Sequence, residues 1–86
     1  GSDIVKAFAL GADAVGIGRL EGWALAAGGV PALVRCIKLL KREVSMTMAL
    51  CGVNSLAMLD PSFVSEADVV SNSNVMSAFP LIDEGY

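Results

Sequence analysis

The chain has 86 residues, a formal net charge of −3 at pH 7 and no histidine. Apolar residues make up 55%, roughly 65% once the 9 glycines are added, and charged residues only 17%, against ~25% charged in a typical globular domain. This balance excludes a basic stripe for nucleic acid and removes the commonest general base. It also argues against a free-standing small domain, which would expose large apolar patches and associate. The composition is that of an interior whose surface a partner completes.

Ser2 or Asp3 is placed to cap a first helix, with Ile4, Ala7, Phe8 and Leu10 as its apolar positions. Gly11 sits where a C′ glycine belongs. Asp13 falls in the turn that follows. Residues 14–17 (Ala-Val-Gly-Ile) are a short apolar run without polar alternation, the pattern of a parallel strand buried on both faces. Gly16 within it implies close approach by a neighbour or ligand.

Residues 20–27 form a short helix ending at Gly28-Gly29. The strongest periodicity lies in residues 31–51. Leu33, Ile37, Leu40, Val44, Met48 and Cys51 recur at steps of three or four, giving one apolar stripe. Pro31 fits the first turn of that helix, and Gly52 ends it. Residues 53–59 predict another helical turn, stopped by Asp60-Pro61. Further on, residues 71–74 (Ser-Asn-Ser-Asn) are loop-like and Pro80 interrupts any helix. Val69, Val70, Val75, Met76, Phe79, Leu81 and Ile82 predict an arm laid over another surface. No internal repeat is visible.

Several residues carry the plainer reading. Asp3 is an N-cap rather than a catalytic carboxylate, and Lys6 is a solvated helix residue with an apolar stem. Arg35, Lys38, Lys41 and Arg42 form a solvated face. Trp23 and the four methionines serve packing. Cys36 and Cys51 lie about 22 Å apart on one helix, too far for a disulfide. They read as small buried hydrophobes, and free thiols suit the cytoplasm. No signal peptide is recognisable, and no run of ~20 uninterrupted apolar residues predicts a membrane-crossing helix.

The most informative stretch is residues 11–19, Gly-Ala-Asp-Ala-Val-Gly-Ile-Gly-Arg. It reads as a buried strand ending in a Gly-Arg pair just before a short helix. Gly18 lets backbone approach an anion, Arg19 supplies a forked positive charge, and the helix N-terminus offers N–H groups. The structural alternative for Arg19 is a carbonyl contact or a pairing with Glu21. The order helix, strand, short helix, long helix is that of the closing part of a (β/α)8 barrel, an α/β fold whose phosphate site lies beside a short extra helix. The remaining six or seven strands must come from elsewhere, from another chain that completes the barrel or from a missing segment.

Residues 2–19 resemble the C-terminal portion of the FMN-dependent α-hydroxy acid oxidases and dehydrogenases, which include glycolate oxidase, lactate oxidase and mandelate dehydrogenase. Thr47-Met48-Ala49-Leu50-Cys51-Gly52-Val53-Asn54-Ser55-Leu56 is similar to that family's last barrel helix and the turn after it. The resemblance covers residues 1–64, leaving residues 65–86 as the arm. It implies that Gly18 and Arg19 bind the FMN phosphate, and that no residue of this chain is itself catalytic. The family's active-site His and the arginine that grips the substrate carboxylate lie upstream, on a larger partner chain. The implied assembly is a higher oligomer oxidising a small 2-hydroxy acid, with neither nucleic acid nor membrane as partner. The front segment is also similar to IMP dehydrogenase, the FMN domain of glutamate synthase and the FMN-dependent isopentenyl diphosphate isomerase. Arg19 directly after Gly18, together with Met48 to Gly52, favours the hydroxy acid oxidases. A non-catalytic assembly subunit is the alternative from another class.

Overall fold

A computed structural model describes residues 1–67; residues 68–86 lie outside the described part. The loop at 71–74, Pro80, Tyr86 and most of the expected arm fall there. Helix α1 spans Ser2–Ala9 and helix α2 spans Arg19–Leu50, followed by 3-10 turns at Leu56–Met58 and Pro61–Phe63.

Val5 and Ala9 stand four apart on α1 and so share a face. Both are buried, and with Val53 and Leu59 they make the core. Phe8, Val44, Met48 and Val64 pack around it. The N-cap of α1 is Gly1, without a side-chain cap bond, rather than Ser2 or Asp3. Both residues already lie inside the first turn, where the Asp3 carboxylate suits the positive end of the helix. Lys6 Nζ stands 3.8 Å from Asp3 Oδ1 in a solvated pair.

The two helix ends are built alike. Gly11, at φ +100°, donates its N–H to the Phe8 carbonyl, and Ala12 donates to Ala7, both at 3.0 Å. Gly52, at φ +73°, donates to Ala49 at 3.1 Å, and Val53 to Met48 at 3.0 Å. Each is the reciprocal pair of a Schellman motif, in which a left-handed residue turns back the last carbonyls. Both glycines stand where the sequence placed them.

The expected strand at residues 14–17 is not formed, and no strand occurs among the described residues. Residues 13–17 make no backbone–backbone hydrogen bond among the described residues. The reason is physical: a parallel strand has no partner within itself and pairs only with neighbours reached through long crossovers. The segment nevertheless keeps to the helices. Val15 and Ile17 line an open apolar groove of about 420 Å³ with Ile4, Leu40, Val44 and Met48.

Helix α2 is broken at Gly28 (φ −166°, ψ 23°) and Gly29 (φ +63°, ψ −151°). Two limbs result, as the sequence predicts, and Pro31 falls in the first turn of the second, where its missing N–H costs no hydrogen bond. The long limb uses its apolar stripe only toward its C-terminal end. Val44 and Met48 reach the core, while Ile37 is 50% exposed and α2 as a whole has no buried residue. Cys51 is exposed rather than buried, because it is the C-cap of α2; Cys36 is half-buried and both thiols are free. The cations at 35, 38, 41 and 42 form the expected solvated face. Trp23, Met46 and Met58 are exposed instead of packed.

By length and composition α2 is apolar enough to cross a membrane, with an 18-residue window of mean hydropathy 1.5. The break at Gly28 and Gly29 interrupts the hydrogen-bond ladder that lipid would demand. The long limb also carries Arg35, Lys38, Lys41, Arg42 and Glu43, each costly in hydrocarbon. The helix lacks protein cover.

Asp60 does more than stop the preceding turn. Its Oδ1 accepts the Ser62 N–H at 2.7 Å, capping the turn that Pro61 begins. Bonds from the Ser62 hydroxyl and then the Ser62 backbone N–H hold the Asp60 carboxyl below its ordinary value of 3.8. A depressed carboxylate stabilises the fold above its ordinary value, and that contribution is lost as pH falls through the lowered one. Carbon-detected NMR titration of the Asp60 carboxyl is expected to give a midpoint below 3.8, and Asp60→Asn removes the step while keeping an acceptor at the cap. A midpoint at or above the ordinary value would contradict the cap.

The helix ends give a second expectation. Gly52→Ala forces a Cβ into the left-handed region and lowers stability by about 1–2 kcal/mol. Gly22→Ala, inside α2 with nothing within 4 Å of its added Cβ, leaves stability equal or raises it by about 0.5–1 kcal/mol. Thermal unfolding of the two variants checks the contrast.

Candidate functional site

The site is built at the start of α2. Residues 14–18 lead into the helix without regular structure, and Gly18 is the N-cap at φ −115°, ψ −83°, with no side-chain cap bond. The Gly18 carbonyl accepts the N–H groups of Glu21 at 3.1 Å and Gly22 at 3.3 Å, which closes the first turn. A helix that starts without a side-chain cap directs its first-turn N–H groups outward, and the macrodipole adds a partial positive charge. An anion is the natural occupant of such a terminus.

Space in front of it is open. A Cβ added at Gly18 would meet nothing within 4 Å, and the same holds at Gly16. Arg19 follows as the first helical residue and is exposed. The structure therefore places the two residues singled out from sequence, Gly18 and Arg19, side by side at one helix terminus. The Glu21 carboxylate shares the first turn, so an incoming anion must outcompete it for positive charge. A phosphate, with more charge and three acceptor oxygens, is better suited to do so than a carboxylate.

These residues fit a phosphomonoester such as the one FMN carries. Bare backbone at Gly18, outward N–H groups and a guanidinium are the donor set that such a group requires. Among the described residues, no group of three or more His, Cys, Asp or Glu converges into a metal site.

A second concavity went unseen in the sequence. The break at Gly28 and Gly29 folds the short limb back, so that Leu20, Trp23 and Ala24 face Cys36, Leu39 and Leu40 across a groove of about 460 Å³. Trp23, expected from the sequence to serve packing, lines this groove. The legible signal was the Gly28-Gly29 pair between two apolar helices, which brings their faces together.

The geometry is a helix terminus without a side-chain cap, at the end of an apolar segment that makes no backbone–backbone hydrogen bond among the described residues. Residues 1–66 match the model of the FMN-dependent dehydrogenase family, and the chain belongs to that family. Its relatives bear out the resemblance to hydroxy acid oxidases and dehydrogenases. The chain is 47% identical over 64 residues to an L-lactate oxidase of Nostoc sp., covering 74% of this chain and 18% of the relative. It is 39% identical over 75 residues to the (S)-mandelate dehydrogenase of Pseudomonas putida, covering 87% and 19%. It is 36% identical over 80 residues to glycolate oxidase 1 of Zea mays, covering 93% and 20%. The chain thus spans about a fifth of the length of the curated relatives it matches. No solved structure matches the chain.

Proposed function

We propose that this chain is the C-terminal part of an FMN-dependent oxidoreductase acting on a 2-hydroxy acid, and that Gly18 and Arg19 hold the FMN phosphate. The observation that carries the reading is the uncapped N-terminus of α2, with open backbone at Gly18 and Arg19 beside it. Bound FMN supplies an acceptor for the hydride or its equivalent from the substrate carbon. This chain's residues bind and orient that group; a proton base and a carboxylate clamp come from polypeptide outside residues 1–86, which we assign to a larger partner chain.

In this reading residues 14–17 become the closing strand of the (β/α)8 barrel, paired on both edges by strands of the partner. Residues 1–64 make up the barrel part and residues 65–86 an arm on the partner surface. The exposed apolar residues of α2, among them Leu20, Val30, Val34, Ile37 and Leu39, are the surface that assembly covers. Free Cys36 and Cys51 fit a soluble cytoplasmic complex.

Removing Arg19 tests the site directly. Arg19→Ala in the assembled flavoprotein is expected to weaken FMN retention roughly ten- to a hundredfold, the worth of charge-assisted bonds to phosphate, while assembly persists. Equilibrium dialysis with flavin fluorescence reads the first and native mass spectrometry the second. Unchanged FMN affinity would remove Arg19 from the phosphate site.

A further inference from the structure

The break inside α2 has a conformation that side chains resist at two successive residues, for two different reasons. Gly29 stands at φ +63°, ψ −151°, a region open essentially to glycine alone. At Gly28 the φ is extended, but an added Cβ would stand 3.0 Å from the Ala32 Cβ, closer than packed carbons normally come. One glycine is required by its torsion and the other by its neighbour.

What the break controls lies at the far end of the short limb. From Ala27 back to Arg19 the chain is helical, a rod of about 12 Å at 1.5 Å per residue. A change of ten degrees at the base of such a rod moves its tip by roughly 2 Å. Hydrogen bonds to an anion tolerate only a fraction of that displacement. Leu20 and Trp23 of the short limb line one groove with Leu39 and Leu40 of the long limb, so the break also sets how the two limbs meet.

We propose that Gly28 and Gly29 are positioning residues for the phosphate site, setting the angle at which the N-terminus of α2 meets the phosphate. The inference rests on the reading that Gly18 and Arg19 hold the FMN phosphate. It assigns no chemistry to the glycines; they act through the rod they anchor.

The test compares FMN with riboflavin, which lacks the phosphate, on the assembled flavoprotein. Dissociation constants are measured for Gly29→Ala, Gly28→Ala, Gly28→Ala with Ala32→Gly, Gly22→Ala and Arg19→Ala. Gly29→Ala and Gly28→Ala are expected to weaken FMN roughly tenfold and leave riboflavin unchanged. Ala32→Gly restores FMN binding in the Gly28→Ala background, since it removes the atom that the new Cβ meets. Gly22→Ala, in the short limb but away from the break, leaves both ligands unaffected.

Equal losses of FMN and riboflavin in the break variants would mean general damage and overturn the proposal. Unchanged FMN binding in those variants, with FMN lost in Arg19→Ala, would overturn it while leaving the phosphate reading intact. An unchanged FMN-to-riboflavin ratio in Arg19→Ala would overturn that reading and this inference together. Should Gly29→Ala not assemble, the Gly28→Ala variant and its Ala32→Gly rescue decide the matter.

Discussion

Among the described residues, the backbone of the 13–17 segment and the apolar side chains of α2 lack protein partners, and most of the structure follows from that shortage. Residues 13–17 form no backbone–backbone hydrogen bond among the described residues, and α2 buries no residue. The core consists of Val5, Ala9, Val53 and Leu59. Burial on that scale is small against the conformational entropy of ordering the described chain. What persists is what needs no outside partner: helices, whose hydrogen bonds are internal, and glycine-closed helix ends, whose bonds span only a few residues. The extended segment between them is the element that cannot complete itself.

The contrast between local and non-local structure also explains what could be read from the sequence. Gly11 and Gly52 were legible as helix ends because the Schellman geometry depends on one residue's freedom to adopt positive φ. The division of α2 at Gly28-Gly29 and the place of Pro31 were legible for the same reason. The strand expected at 14–17 does not form. An apolar run without alternation describes what would surround it, and those surroundings are not within residues 1–67. The first cap was misassigned to Ser2 or Asp3 because side-chain chemistry favours them, whereas the helix begins one residue earlier at Gly1. Exposure at Cys51 and Trp23 was misjudged in one direction, since apolar composition says what ought to be covered and not what covers it.

The candidate site was more legible than the fold around it. Gly18 and Arg19 are adjacent in sequence, so no tertiary contact is needed to bring them together; only the start of a helix at that point is required. Its geometry needed the structure. The absence of a side-chain cap, the open space at Gly18 and Gly16, and the groove beneath Trp23 depend on where chains run rather than on which residues they carry.

A chain without histidine looks ill equipped to serve an oxidoreductase only if binding and proton transfer must share residues. In the proposed reading the binding set is made of groups that need move no proton. Backbone N–H groups, a helix dipole and a guanidinium act on an anion through fixed dipoles, charge and hydrogen bonds. In that reading the acid–base machinery lies elsewhere. On that division of labour, the variables that matter in this chain are geometric: where the α2 N-terminus lies and which way it points. Under the proposal both are set by glycines at 18, 28 and 29, so that backbone freedom rather than side-chain chemistry carries the chain's contribution.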